Sequence, residues 1–233
     1  DKEYAARVFA HPFGDSENFA LRGLGVGIAG TYTSQTGTTA QPLLSVLRTP
    51  AQSTFFRYRT GTTPTLADGE RTRLAPQLYY YVGRFGLLGE YTTVSQDVSR
   101  TTTAGRREDT LATAAWQVQA SWFLTGEEES FRGFKPNNVF SLADNTWGAF
   151  ELVARYQELD PDDDAFVGGA ASFADPVNAA RKATSYGLGL NGYLNENLKW
   201  VLNCDRASFD GGAAGGADRE DEDVFLTRFA LGF

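Results

Sequence analysis

Cysteine, histidine and methionine are almost absent from this sequence of 233 residues, which contains one cysteine, one histidine and no methionine. The single cysteine, Cys204, excludes a disulfide within the chain, and a lone cysteine most often serves as a small apolar side chain. The one histidine, His11, precedes Pro12 in a setting that suits a structural role. Without a His/Cys cluster for a metal or a base beside a nucleophile, the sequence argues against an enzyme and against any cofactor.

The charge balance and the apolar runs argue against two further classes of protein. The formal net charge is −8, whereas a nucleic-acid-binding protein usually carries a basic surface. No apolar run approaches the ~18–20 residues of a membrane helix. The mean hydropathy of −0.33 resembles that of a soluble protein, but a membrane β-barrel, whose strands alternate lipid-facing and polar residues, gives a similar average.

Alternation of apolar and polar residues recurs along the whole chain and predicts about ten strands of roughly 10–13 residues. Strands of soluble proteins average ~5–6 residues, whereas strands of membrane barrels need ~9–11. These lengths favour an all-β, antiparallel up-and-down barrel in the outer membrane over a soluble lipocalin-like barrel, which alternates too but buries its apolar face. The predicted strands cover residues 2–10, 23–33, two runs within 52–82, and 86–97, 109–124, 147–159, 183–194, 198–209 and 223–233.

The segment 52–82 combines two strand-like runs with a turn-rich link at 61–69 and is predicted to form a hairpin. Alternation puts a pair of arginines on one face of each run and aromatic or aliphatic side chains on the other. Because an arginine facing lipid costs ~2–4 kcal/mol at mid-membrane, we expect the arginines to face a water-filled lumen. The predicted lumen set is Arg57, Arg59, Arg71 and Arg73, with Arg155, Lys199 and Arg228 as weaker candidates and Phe56 and Tyr58 facing lipid.

Connection lengths orient this barrel, since outer-membrane barrels have short periplasmic turns and longer outer loops. If the last strand ends on the periplasmic side, the tight turns at 82–85 and 195–197 are periplasmic. Two other periplasmic connections, 34–51 and 125–145, are longer than the rule allows. The loops expected outside are 12–21, 61–69, 99–107, 160–182 and 211–222. Aromatic residues of several strands are expected near the periplasmic interface, namely Tyr79, Tyr80, Tyr81, Phe85, Trp122, Phe123, Trp147, Tyr193 and Phe233.

Several phrases, spread along the chain in one order, resemble the C-terminal portion of the phosphate-selective porin O and P family. The resemblance implies a sixteen-stranded, usually trimeric barrel with an arginine-lined anion pore in the bacterial outer membrane. Such a barrel takes on the order of 400 residues, so we expect residues 1–233 to be one barrel domain without its N-terminal strands. Phe233 resembles the C-terminal signal for membrane insertion. The phrases are RVFAHPF, GLGVGIAG, FFRYR, DGERTRLAPQLYYY, GLLGEY, WFLTGE, GAFELVARY, GLGLNGYLN and RFALGF.

The function expected from these observations is the passage of small anions, with phosphate or polyphosphate preferred. Guanidinium groups stay charged and hold phosphate oxygens bidentately, and a series of similar sites lets an anion step along. By resemblance, the four arginines fall on the arginine ladder of the family. The expected partners are phosphate-like anions, lipid, lipopolysaccharide and further copies in a homotrimer, but no nucleic acid.

Two alternatives to selective conduction stay open at this point. The lumen arginines could pair with acidic residues and brace the wall, with Glu90, Glu151 and Asp205 as available partners. The barrel could also be a structural protein that anchors other envelope components and conducts little. The acidic runs of the loops offer sites for divalent cations that link lipopolysaccharide, although charge runs are usually just solvated.

Overall fold

The computed structural model describes residues 2–131, 133 and 135–232, and within them the protein is built almost wholly of β-strands. The described residues form a nine-stranded antiparallel sheet in up-and-down order and a separate two-stranded sheet. The all-β antiparallel prediction is therefore confirmed. The strands are β1 Glu3–Ala10, β2 Leu24–Thr36, β3 Leu47–Arg48, β4 Thr54–Phe56, β5 Thr65–Val82, β6 Phe85–Thr102, β7 Gly105–Phe123, β8 Ala149–Asp160, β9 Ala180–Tyr193, β10 Leu198–Gly211 and β11 Glu222–Leu231.

The main sheet is open, because its edge strands β1 and β11 are not paired with each other in the described part of the chain. The sixteen-stranded closed barrel therefore stays a prediction. The helical elements are short: α1 covers Phe19–Arg22, and single 3₁₀ turns cover Asp163–Phe166, Gly169–Ala171 and Ala214–Gly216. No helix of the described residues is long and apolar enough to cross a membrane.

Antiparallel pairing places the connections alternately at the two ends of the sheet. We call the end where β11 finishes the lower end and the opposite end the upper end. The short turns predicted at 82–85 and 195–197 correspond to connections 83–84 and 194–197, and both lie at the lower end, in agreement with the predicted topology. The lower end also holds connections 11–23 and 124–148, and the upper end holds 37–64, 103–104, 161–179 and 212–221.

The first half of the predicted arginine hairpin is wrong. Only Thr54–Phe56 is extended there, and it pairs with Leu47–Arg48 rather than with the main sheet. Strand β2 pairs directly with β5, from Leu24 opposite Tyr80 to Thr36 opposite Asp68. The whole of 37–64 is consequently one long upper-end connection, and 11–23 moves to the lower end. This removes the conflict that residues 34–51 posed for the loop-length rule.

The predicted loop at 99–107 is also wrong. Strand β6 continues to Thr102 and β7 starts at Gly105, so that a two-residue turn joins them. These strands have 18 and 19 residues, well above the ~9–11 needed to cross a membrane. The extra length lies at the upper end, where a strand outside the membrane has no need for an apolar face.

The main sheet has one apolar and one polar face, as the alternation predicted. The apolar face carries large exposed apolar side chains on eight of the nine strands of the described sheet, with Leu188 at 63% and Phe229 at 70% exposure. Contiguous exposed apolar surface of this extent marks contact with another apolar phase rather than with water. Further exposed members include Tyr4, Val8, Ile28, Leu74, Leu78, Tyr91, Trp116, Trp122, Leu152, Tyr186, Phe225 and Leu231.

The buried core lies on the polar side of the sheet, at the upper end. There the connections 37–64 and 161–179 fold over the sheet and pack on Val98, Leu111 and Phe209. Phe55 and Phe56 belong to this core and are 0% and 1% exposed, so the prediction that Phe56 faces lipid is wrong. Tyr58 packs against the same core and does not face lipid either. Consecutive aromatic residues can both be buried here because the loop is covered on both sides.

At the lower end, aromatic rings pack directly on the backbone of β2, where glycines carry no side chain. A Cβ at Gly25 would come within 2.3 Å of the Tyr79 ring, and one at Gly27 within 2.6 Å of the Phe9 ring. Phe131, from connection 124–148, stacks on Tyr79 with 4.8 Å between ring centroids. The glycines of the GLGVGIAG phrase therefore provide the close approach that these rings need.

The aromatic residues predicted near the periplasmic interface do lie at the lower end, but they divide between the two faces. Tyr80, Phe85 and Trp122 lie on the apolar face. Tyr79, Tyr81, Phe123 and Tyr193 share the polar face with residues such as Gln77 and Glu151. Phe233 lies outside the described residues.

Replacing Leu188 with arginine is expected to lower the free energy of unfolding in lipid vesicles by ~2–4 kcal/mol, because the apolar face would present a charge to hydrocarbon. Gln117→Arg on the polar face is the matched control. Its side chain lies beside the Glu90 carboxylate, and we expect a change within ~0.5 kcal/mol. Denaturant titration in vesicles measures both, and equal losses would contradict the assignment of the faces.

Candidate functional site

The two long upper connections, 37–64 and 161–179, are tied together by arginines above the polar face of the sheet. Arg59 donates from Nε to the Ser172 carbonyl at 3.2 Å and forms an ion pair with Asp175 at 3.2 Å. Arg100, on β6, donates from Nη1 to the carbonyls of Ser172 at 2.6 Å and Ala170 at 2.7 Å, and from Nε to that of Thr63 at 2.9 Å. Arg100 thus joins the sheet to both connections at once.

A cationic cavity of about 150 Å³ opens beside these contacts. Its described lining contains three guanidinium groups, those of Arg57, Arg59 and Arg100, but one carboxylate, that of Asp175. Arg57 is exposed and has no hydrogen-bond or ion-pair partner among the described residues. The cavity therefore combines surplus positive charge with a guanidinium whose donors are available to an anion.

Tyr58 also lines this cavity. Burial, with a smaller contribution from the charge of Asp162, raises the pKa of Tyr58 to about 12. The phenol consequently stays protonated at neutral pH and does not add negative charge to the lining.

Arg71 and Arg73 lie on the polar face of β5, opposite Leu74, as alternation predicted. Both approach the same carboxylate, Glu3, with N–O distances of 3.4 and 3.5 Å. The Arg71 side chain is largely buried beneath connection 37–64, and its Nε lacks a hydrogen-bond partner in the described structure. The Arg73 side chain is 37% exposed. Two cationic groups thus share one acid, which leaves positive charge uncompensated.

The weaker candidates lie on the same face but in the other half of the sheet. Arg155 forms an ion pair with Asp205 at 2.9 Å, and Asp205 is almost fully buried. Lys199 donates to the Tyr193 hydroxyl at 2.8 Å. Arg228 has no hydrogen-bond or ion-pair partner within the described part of the chain. The ion pair of Arg155 is what the bracing alternative predicts, whereas Arg228 shows no such contact.

The three acids predicted as bracing partners behave differently from one another. Asp205 pairs with Arg155. Glu90 accepts a hydrogen bond from Gln117 at 3.1 Å. Glu151 accepts hydrogen bonds from Asn191 at 2.8 Å and Tyr193 at 2.7 Å. The structure thus brings Arg57 and Arg59 together and sets Arg71 and Arg73 side by side, but it does not gather all seven basic candidates at one point.

Arg100 and Arg107 were missed, because the sequence around them was interpreted as a loop. Arg107 lies opposite Arg100, pairs with Asp109 at 3.1 Å and covers the Phe173 ring at 4.4 Å. The alternation along β6 could have revealed Arg100, because Arg100 lies an even number of residues after Glu90 and Gln96 and therefore on the same face. The residues between them that face the other way include serines and threonines, so the segment did not show the apolar–polar alternation of a strand.

The sequence was compared with models of protein families and with curated proteins. The family model described as "Phosphate-selective porin O and P" matches residues 20–233, which is most of the chain. Among curated proteins no match was found.

Replacing Arg100 with glutamine is expected to loosen the upper end, because three loop carbonyls lose a charged donor. A buried polar group left without a partner costs ~1–3 kcal/mol, so we expect a loss of unfolding free energy of about that size. Connection 161–179 should also be cleaved faster by added protease.

Arg106→Gln is the matched control for this substitution, since Arg106 lies in exposed ion pairs with Asp68 and Glu108. Surface pairs contribute ~0–1 kcal/mol, and cleavage of 161–179 should not change. A similar rate of cleavage in both variants would show that Arg100 does not hold the loops.

Proposed function

The chain belongs to the phosphate-selective porin O and P family, and on that premise we propose that it passes small anions, phosphate above all, along the polar face of its sheet. The family is one of outer-membrane channels rather than of enzymes. The observation that carries the proposal is an exposed apolar face backed by a polar face with surplus arginine. In a membrane barrel the first surface meets lipid and the second lines water.

The proposed route begins at the upper cavity around Arg57. A phosphate that enters there meets a guanidinium with free donors in a cavity that two other guanidinium groups, fixed by loop contacts, also line. Charge-assisted hydrogen bonds from such groups replace part of the hydration shell of the anion. Because Asp175 compensates part of the charge, the anion is attracted without being trapped.

Further down the route, Arg71 and Arg73 provide the next positive charge. Arg71 lies opposite Gln96 on β6, and Arg73 lies opposite Val94, one step lower on the same face. Arg73 is the more accessible of the two and shares Glu3 with its neighbour. We therefore assign Arg57 and Arg73 to contact with the anion and Arg59 and Arg71 to positions behind them.

A structural barrel with little selective conduction is the second candidate, and specific contacts favour it for part of the arginine set. Arg59, Arg100 and Arg155 use their donors on loop carbonyls or on acids. Such groups hold the wall regardless of what passes. Arg57 is the residue that separates the candidates, because bracing gives it no role among the described contacts.

The assembly is proposed on family membership alone. We propose a sixteen-stranded barrel that forms a homotrimer in the outer membrane, with lipid and lipopolysaccharide against its apolar face. Phe233 is proposed as the insertion signal. Preference for polyphosphate over phosphate would need several arginines to act on one ligand, and Arg57 and Arg73 are the residues proposed to do so.

Arg57→Gln is expected to weaken the block of chloride current by added phosphate about tenfold, because one charge-assisted hydrogen bond contributes ~1.5 kcal/mol or more. The measurement is single-channel current of the protein in planar bilayers, with reversal potentials in a KCl gradient. Arg73→Gln should act in the same direction, and the double variant should lose most of the preference for anions.

Arg48→Gln is the matched control, since Arg48 lies in the same upper connection but donates to the carbonyl of Gln52. It should leave phosphate block and ion preference unchanged. If Arg57→Gln and Arg73→Gln also leave both unchanged, the arginine route is wrong and the structural barrel is the better account.

A further inference from the structure

A carboxylate lies in the path of the proposed pore at its lower end. Connection 124–148 folds back over the polar face there, and the backbone N–H of Glu129 donates to the Gly83 carbonyl at 2.7 Å. The hydroxyl of Ser121, a polar-face residue of β7, donates to the Glu129 carboxylate. Cavities of about 510 and 480 Å³ open on the two sides of Glu129, which lines both. Glu129 therefore lies over the polar face, between two open cavities.

Glu129 is close to a second carboxylate, that of Glu151. Glu151 accepts hydrogen bonds from Asn191 and Tyr193. Burial raises the pKa of Glu129 to about 7, against the opposing effect of the Ser121 hydrogen bond. The charge of Glu151 and a hydrogen bond with it add smaller contributions to the rise. The group that changes charge near neutral pH is thus in the wall of the route.

Other titratable groups of the described structure face Glu129 from four strands. Tyr81 faces it from β5, Glu151 from β8, Tyr193 from β9 and Lys199 from β10. Across the larger cavity lie His11, Asp15 and Arg22. The Tyr79 hydroxyl forms a hydrogen bond with His11 Nε2, with 2.7 Å between the two atoms.

We propose that Glu129 is a selectivity residue of the pore, which favours anions when its carboxyl group is neutral and opposes them when it is ionised. This inference rests on the proposed function. Ionised Glu129 places a second negative charge beside Glu151, and among the described residues Lys199 is a cation close enough to offset part of it. Neutral Glu129 leaves one acid against that lysine, so the local potential rises and the anion concentration rises with it.

The direction with pH follows from the raised pKa. Below pH about 7 the carboxyl group of Glu129 is mostly protonated, and above it mostly ionised. The preference for anions over cations should therefore fall as pH rises through neutrality. Phosphate itself titrates in this range, so the test uses chloride and potassium.

The experiment measures reversal potentials of the full chain in planar bilayers under a KCl gradient, from pH about 5.5 to about 8.5. For the natural sequence, the chloride-to-potassium permeability ratio should fall roughly twofold to fivefold, the effect of one added charge at short range in water. Glu129→Gln should hold the ratio near its low-pH value throughout. Ser121→Ala should move the midpoint to higher pH, because the ionised form loses a donor.

Glu128→Gln is the matched control, since Glu128 is the neighbouring acid and its side chain is exposed. It should keep both the fall in ratio and its midpoint. A Glu129→Gln protein that keeps the pH dependence, or a Ser121→Ala midpoint at lower pH, overturns the role of Glu129. A pH-independent preference for anions in the natural sequence overturns it too and leaves the proposed function intact, whereas no preference at any pH overturns both.

Discussion

The alternation of side chains along a strand is the constraint on which the rest of this structure depends. In hydrocarbon every backbone N–H and C=O must be paired, and antiparallel strands achieve this while sending successive side chains to opposite faces. One face is then available for lipid, and every charged group on a strand is restricted to the other. Leu74 and Arg73 illustrate this, because adjacent residues of β5 meet different surroundings without any change in the backbone. The polar face collects arginines and acids for this reason before any question of selectivity arises.

A polar face cannot build a core of its own, so the loops supply one. Phe55, Phe56 and Phe173 are buried between the sheet and the upper connections. This packing removes loop carbonyls from water, and buried arginines donate hydrogen bonds to them. Such arginines contribute by removing unpaired acceptors, and they are poor candidates for contact with a moving anion. Two populations result: arginines with saturated donors, such as Arg100, and arginines with spare donors, such as Arg57. Composition alone counts both populations in the same way.

Much of the sheet could be predicted from the sequence, because the period-2 pattern of β2, β8, β9 and β10 has few competing explanations. Arg71 and Arg73 were correctly placed opposite Leu74 for the same reason. The run FFRYR shows the limit of this pattern, because it alternates like a strand but lies largely in a loop. Other parts of the protein pack on both sides of this loop, and the sequence of the segment itself does not indicate those contacts. Arg100 shows the opposite failure, in which a true strand is mistaken for a loop. Where a strand extends beyond the membrane, neither of its faces needs apolar residues, and the alternating pattern disappears. Contacts between distant segments, such as Phe131 on Tyr79, leave no trace in local spacing.

The net charge of −8 is compatible with a preference for anions, because charges act locally in salt. At physiological ionic strength the Debye length is ~8 Å, so an acid in a solvated loop does not reach an ion at the opposite end of the sheet. What matters is the balance within each level of the polar face. At the upper cavity Asp175 offsets part of a three-arginine set, and on β5 Glu3 offsets part of a pair. At the lower end Glu151 and Glu129 face Lys199, and the amount of negative charge there changes with one proton. The proposed route therefore runs from a region of constant positive charge to one whose charge depends on pH, and the overall charge of the chain describes neither.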